Sequence, residues 1–189
     1  LLRVSNLIQD FIDQKIQSEL MEAFDQVLDD IDLVVFSDFN YGCLPQPFVE
    51  EIISKSKKAE KLIVADSQSS SQIGDICRYK EMDLISSTER EARISLQNSQ
   101  DGLVVLAEKL RSRSKAENIF LKLGSQGDLL HIKSDEDSSV SVTDQLYALN
   151  DSPKDIAGAG DSMLITSALS FAVGASPWAA ACLGSIAAA

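Results

Sequence analysis

Residues 152–174 read SPKDIAGAGDSMLITSALSFAVG, three small residues and a carboxylate set directly before a long apolar run. The run from Met163 onward has the composition of a buried helix, so Gly158, Ala159, Gly160 and Asp161 stand at its doorway. A helix start exposes backbone N–H groups that lack partners within the helix, together with the positive end of the helix dipole. It holds a phosphate when no side chain blocks the approach. The glycines clear that approach. Asp161 repels such an anion, so a functional reading makes it a base facing an incoming hydroxyl, which is the chemistry of phosphoryl transfer. The alternative is a tight turn with an acidic residue in the first helical turn, and a short glycine motif does not choose between the two.

Working back towards the start, apolar runs alternate with amphipathic ones. Ile16, Leu20, Ala23, Phe24 and Val27 share one face of a helix expected over residues 12–28. DLVVFSDF (32–39) is a short buried strand. A helix carrying Phe48, Val49, Ile52 and Ile53 on one side follows Pro45 and Pro47. EKLIVAD (60–66) is a second strand, and EMDLISS (81–87) a third, leading into the acidic helix start TEREARISL (88–96). DGLVVLAEKLRSR (101–113) is helical, ENIFLKLGSQGDLLHIK (117–133) reads as two strands around a glycine turn, and VSVTDQLYAL (140–149) supplies one or two more. SDEDSS (134–139) is a solvated loop. Strand and helix in alternation imply an α/β domain with a parallel sheet between helices. Ligands of such sheets bind beyond the carboxyl ends of the strands. Asp38, Asp66, Glu91 and Asp161 all follow apolar strands or open helices there, so they are expected on one rim.

The 189 residues, 44% of them hydrophobic, suffice for one domain with a sizeable core. A formal net charge of -12 disfavours nucleic acid and anionic membrane surfaces as partners, while backbone N–H groups and a metal ion can still hold a small phosphorylated ligand. Cys43, Cys77 and Cys182 are odd in number and widely spaced, which fits neither a disulfide framework nor a zinc site and implies a reducing, cytoplasmic compartment. His131, the single histidine, falls mid-strand and is read as structural. LLRVSNLIQDF at the start is too short and polar for a signal peptide. ACLGSIAAA at the end lacks a helix stop signal, so both ends are expected to be cuts through a larger domain.

The segment DIAGAGD resembles the nucleotide-proximal signature of the ribokinase-like, phosphofructokinase-B-type carbohydrate kinases. VVFSDFNYGCL, LIVADSQ, DLISSTEREA and LKLGSQGDLLHI fall in that family's order, so the resemblance covers nearly the whole chain. LLRVS, SDFNYG and ADSQSSSQIGDICRYKEMDLIS are most similar to the heptose-7-phosphate kinase domain of the bifunctional enzymes that make ADP-heptose. The resemblance implies a three-layer fold with a mainly parallel central sheet and helices on both faces. Residues 1–189 would form one partial kinase domain, with 1–9 a remnant of a lid sheet through which a homodimer forms. It implies ATP and Mg2+ as cofactors, a sugar or sugar phosphate as acceptor, and a monovalent cation near Asp155. Asp161 would be the base, Gly158, Ala159 and Gly160 the cradle of the transferred phosphoryl group. Glu91 would lie near the metal and phosphates, with Thr88, Gly124 and Gly127 beside the nucleotide.

Four positions depart from the family pattern. Thr88 stands where Asn is common, Ile156 where Thr is common, Lys122 in place of a hydroxyl residue, and Tyr41 where the heptose-kinase subgroup has Lys. Loss of one phosphate-facing donor costs on the order of a few kcal/mol of transition-state stabilisation. A kinase-like domain that binds nucleotide or sugar phosphate without efficient turnover is therefore the rival reading. A dinucleotide-binding oxidoreductase is disfavoured, because no G-x-G-x-x-G follows the first strand.

Overall fold

The structure, a computed structural model, describes residues 10–67, 74–134, 140–150 and 157–189. Six strands form one sheet in chain order: β1 (Leu33–Asp38), β2 (Leu62–Ser67), β3 (Leu84–Thr88), β4 (Asn118–Lys122), β5 (Asp128–Lys133) and β6 (Ser141–Leu146). Strands β1 to β4 run parallel, and β5 and β6 return antiparallel. The change of direction has a local cause. Between β4 and β5 the chain has only Leu123 and the 3-10 turn Gly124–Gln126 closed by Gly127, a hairpin too short for a crossover helix. The mainly parallel sheet expected from the sequence is thus present, with its antiparallel end confined to the last two strands.

Among the described residues six α-helices flank the sheet: α1 (Gln14–Val27), α2 (Gln46–Lys58), α3 (Glu89–Leu96), α4 (Leu103–Ser114), α5 (Ala159–Ala172) and α6 (Pro177–Ala188). The alternation of side chains divides the core into two layers. Phe36, Ile63, Ala65, Ile85, Ile119, Leu121 and Leu129 point to the side where α2 packs with Phe48, Val49, Ile52 and Ile53 and α4 with Leu106, Ala107 and Leu110. Val64, Leu84, Phe120 and Leu130 point to the other side, against Met163, Leu164 and Ala168 of α5 and Ala181 of α6. Helices therefore lie on both faces, and strands β2 to β4, covered twice, need the near-continuous apolar runs that the sequence carries. His131 sits in β5, its ring between Thr143 Oγ1 at 2.6 Å and Glu108 Oε2 at 2.7 Å, the structural place that its sequence position implied.

Residues 1–9, assigned by resemblance to a lid sheet and a dimer contact, lie outside the described residues, as does nearly all of the 134–139 loop. No helix among the described residues is long and apolar enough to cross a membrane.

Candidate active site

Helix α5 begins where the glycine motif places it. Gly158 is its N-cap at φ 79°, a left-handed conformation that glycine adopts without penalty, and it has no side chain of its own to cap the helix. Ala159, Gly160 and Asp161 form the first turn, with Asp161 half-buried. A Cβ added to Gly158 would meet nothing within 4 Å. A Cβ on Gly160 would lie 3.3 Å from Lys122 Nζ, so the mouth of α5 is set directly over the carboxyl end of β4.

Strand parity shows what else shares that mouth. Val64, Leu84, Phe120 and Leu130 face α5, and two residues along each strand from them come Asp66, Ser86, Lys122 and Asp128, with Thr88 two beyond Ser86. Lys122 is paired in register with Thr88 on one side and Asp128 on the other. Its ammonium crosses β3 to reach Asp66 Oδ2 at 2.8 Å, an ion pair whose side chains are 14% and 2% exposed. Burial pushes the Asp66 carboxyl up from the ordinary range. Lys122 opposes that rise, while the negative charges of Glu91 and Asp161 add to it. Asp66, Glu91 and Asp161 therefore share one electrostatic neighbourhood at the sheet rim. Asp66 Oδ1 and Ser86 Oγ are buried and make no hydrogen bond among the described residues.

Asp38, at the same rim, faces the other way. It belongs to the face of Phe36, where its carboxylate accepts from Tyr79 Oη at 2.9 Å and from the Asn40 N–H at 2.8 Å and pairs with Arg78 at 3.3 Å. Thr88 and Glu91 form a reciprocal cap on α3. The Thr88 N–H donates to Glu91 Oε2 at 2.8 Å and the Glu91 N–H to Thr88 Oγ1 at 3.2 Å. The Glu91 carboxylate is thus turned onto its own helix start. Among the described residues no three His, Cys, Asp or Glu side chains meet to hold a metal ion.

Gly124 and Gly127 frame the turn after β4, both at positive φ. Gly124 faces open space, whereas a Cβ on Gly127 would lie 2.0 Å from the Leu146 carbonyl oxygen. The close approach at Gly127 is thus made by the backbone of residues 146–148. Asp155 and Ile156 lie outside the described residues. The sequence left two members of the rim unassigned. Neither Lys122 nor Asp128 belongs to a local motif, and the alternation in IFLK and DLL places both on the α5 face once β4 and β5 are strands.

No family model matches the chain. Among curated proteins it is similar to the bifunctional protein HldE of Desulfatibacillum aliphaticivorans, 29% identical over 185 residues covering 95% of this chain and 35% of the relative. It is likewise similar to the bifunctional protein HldE of Caulobacter sp. (strain K31), 32% identical over 173 residues covering 89% of this chain and 33% of the relative. The chain spans about a third of the length of these curated relatives. Among solved structures, Escherichia coli phosphofructokinase-2 in complex with potassium superposes with a TM-score of 0.74 at 19% identity, covering 94% of this chain and 56% of that one. Arabidopsis thaliana ribokinase complexed with ribose and ATP gives 0.68 at 16%, covering 95% and 53%. The fold is that of the ribokinase-like kinases, as the resemblance of DIAGAGD and its companion segments implied.

Proposed function

We propose that this chain, a ribokinase-like domain related in sequence to the HldE proteins, is the nucleotide-facing part of an ATP-dependent kinase acting on a hydroxyl of a sugar or sugar phosphate. The HldE relatives support a heptose phosphate as the acceptor. The observation that carries the reading is the mouth of α5, where a first turn opened by Gly158 and containing Gly160 carries Asp161 at the carboxyl rim of the sheet.

In the reaction, the acceptor oxygen attacks the γ-phosphorus of ATP, the bond from that phosphorus to the β–γ bridging oxygen breaks, and ADP leaves. Asp161 takes the proton that the acceptor hydroxyl gives up. The N–H groups of the first turn of α5 stabilise the charge on the transferred oxygens, so the protein supplies position and electrostatics. Magnesium enters this reading with the nucleotide, and a monovalent cation near Asp155 and a dimer through residues 1–9 remain expectations of the resemblance. The rival is a binding domain without efficient turnover, and one observation favours it. Lys122 and Asp66 fill the rim beside Gly160 with an ion pair, where the family pattern has a hydroxyl residue at position 122.

Asp161→Asn in the full-length protein separates the two. The amide keeps the shape and removes the proton acceptor, so turnover with ATP, magnesium and a panel of sugar phosphates is expected to fall about 100-fold or more while ATP affinity holds. Unchanged turnover removes Asp161 from the mechanism. ATP binding by the wild type with no turnover on any acceptor establishes the binding domain instead.

A further inference from the structure

The strand side chains at the rim of the α5 face include Asp66, Ser86, Thr88, Lys122 and Asp128, and among the described residues of that group Lys122 is the one cation. It is poorly used as a packing residue. An ion pair taken out of water stabilises a fold only when the remaining donors and acceptors of both partners are satisfied. Here Asp66 Oδ1 makes no hydrogen bond among the described residues, and neither does Ser86 Oγ, although both residues are 1% exposed. Buried polar groups left in that state are rare in native proteins; of the two, the Ser86 hydroxyl can donate to a ligand oxygen, whereas Asp66 Oδ1 can only accept, from water or another donor.

The placement of the ammonium says which ligand. It lies 3.3 Å from the position a Cβ would take on Gly160, so the missing side chain leaves the Lys122 charge facing the first turn of α5. A compact ammonium beside helix N–H groups suits a phosphate oxygen. The electrostatics require such a charge. The chain carries -12 overall, and Asp66, Glu91 and Asp161 gather their negative charge at this rim, with Asp128 next to Lys122 in register. A polyphosphate docking there without a local cation would be repelled.

We infer that Lys122 is a phosphate-binding residue of this chain, its ammonium held by Asp66 at the mouth of α5 and contacting the terminal phosphates of a nucleoside triphosphate. Asp66 is then a positioning residue that sets how much of the lysine charge reaches the ligand. The inference rests on the kinase reading above and adds to it a cation that the family pattern does not have at this position.

The test is calorimetric titration of the full-length protein with ATP, with adenosine as the phosphate-free control, alongside thermal unfolding. Lys122→Met is expected to weaken ATP at least ten-fold and leave adenosine unchanged, and Lys122→Arg to recover much of the loss. Asp66→Asn, which releases the lysine from its countercharge, is expected to tighten ATP several-fold. The double variant Asp66→Asn, Lys122→Met leaves neither partner of the ion pair buried without the other and carries the test if the single lysine variant fails to fold. It should melt near the wild type yet bind ATP as weakly as Lys122→Met. ATP binding by the double variant equal to the wild type would overturn the role of Lys122 and leave the kinase reading standing. Tighter binding would show that the lysine blocks the site, and would overturn the role as well. A wild type that binds no ATP overturns the kinase reading and this inference together.

Discussion

Asp38 and Asp66 end neighbouring parallel strands, yet one is enclosed in its own network and the other is left half-satisfied. The register explains the difference. Ser37 is paired with Asp66 and Asp38 with Ser67, a one-residue offset that sends the two carboxylates to opposite faces of the sheet. On the α2 face, the segment after β2 returns over Asp38 with Arg78 and Tyr79. Arg78 also donates to the Leu44 carbonyl at 2.6 Å, and the Tyr79 ring lies 5.2 Å from that of Phe36. On the α5 face, Asp66 has Lys122 for one oxygen and no hydrogen bond among the described residues for the other. A buried carboxylate is a structural part where the chain folds back to pair it, and a candidate ligand-facing group where the chain instead brings a helix mouth over it.

The same substitution is expected to act differently at the two positions. In Asp38→Asn, the amide oxygen can take the place of Oδ2 against Arg78 and Tyr79, which turns the NH2 onto the Asn40 N–H, donor against donor, and the arginine is left without its buried countercharge. The expected loss is about 3 kcal/mol, read from urea denaturation. In Asp66→Asn, the amide oxygen still accepts from Lys122, the NH2 takes the place of an oxygen that had no donor, and Asp128, beside Lys122 in register, remains as a countercharge for the lysine. The expected loss is about 1 kcal/mol or less. Equal losses would place Asp66 in the structural class with Asp38.

The second contrast is one of pH. Burial pushes the Asp128 carboxyl up to about 6, with Lys122 opposing, from 3.8. Between those values the folded protein keeps a proton that the unfolded chain has released, so this group's contribution to stability falls as pH rises from about 4 to about 6. Glu108, under the opposite face, behaves in reverse. Burial works against its charge, but hydrogen bonds from His131, Ser112 and Arg111 outweigh it and hold the carboxyl at about 2, from 4.5. Its contribution is present above pH 4.5 and is lost as pH falls towards 2. Asp128→Asn is therefore expected to match the wild type near pH 4 and to exceed it by about 2 kcal/mol at pH 7, measured by denaturation at both values. A pH-independent difference would remove Asp128 from the buried rim.

The strands, helices and glycine mouth were legible because each has a local signature. Apolar runs mark β1 to β4, Pro47 marks the start of α2, and the glycine motif marks that of α5. The capping of α3 was also written in the chain, since Thr88 and Glu91 stand three apart at a helix start. What the sequence hid is set by register between strands. Nothing local shows that Asp38 and Asp66 diverge, that Lys122 spans β3, or that the neighbour crowding Gly127 is the backbone after β6. Family resemblance pointed to Glu91 and Gly127 as ligand contacts, and in the structure both first answer to the fold itself.

Glu91 gives the smallest expected effect and the closest test of that last point. Its carboxylate accepts from the Thr88 N–H, and glutamine makes the same reciprocal cap, so Glu91→Gln should change stability by about 0.5 kcal/mol or less. The substitution also removes one of the charges that push Asp66 up, which lowers the negative potential at the rim slightly. ATP affinity measured with magnesium is therefore expected to stay within about two-fold of the wild type and, if it moves, to tighten. A direct metal ligand behaves in the opposite way. Loss of a carboxylate from the ion's own shell would weaken magnesium-dependent binding strongly while leaving magnesium-free binding alone. Titrations with and without the metal separate the two, and a selective loss in the presence of magnesium would identify Glu91 as a metal ligand and leave its cap a secondary feature.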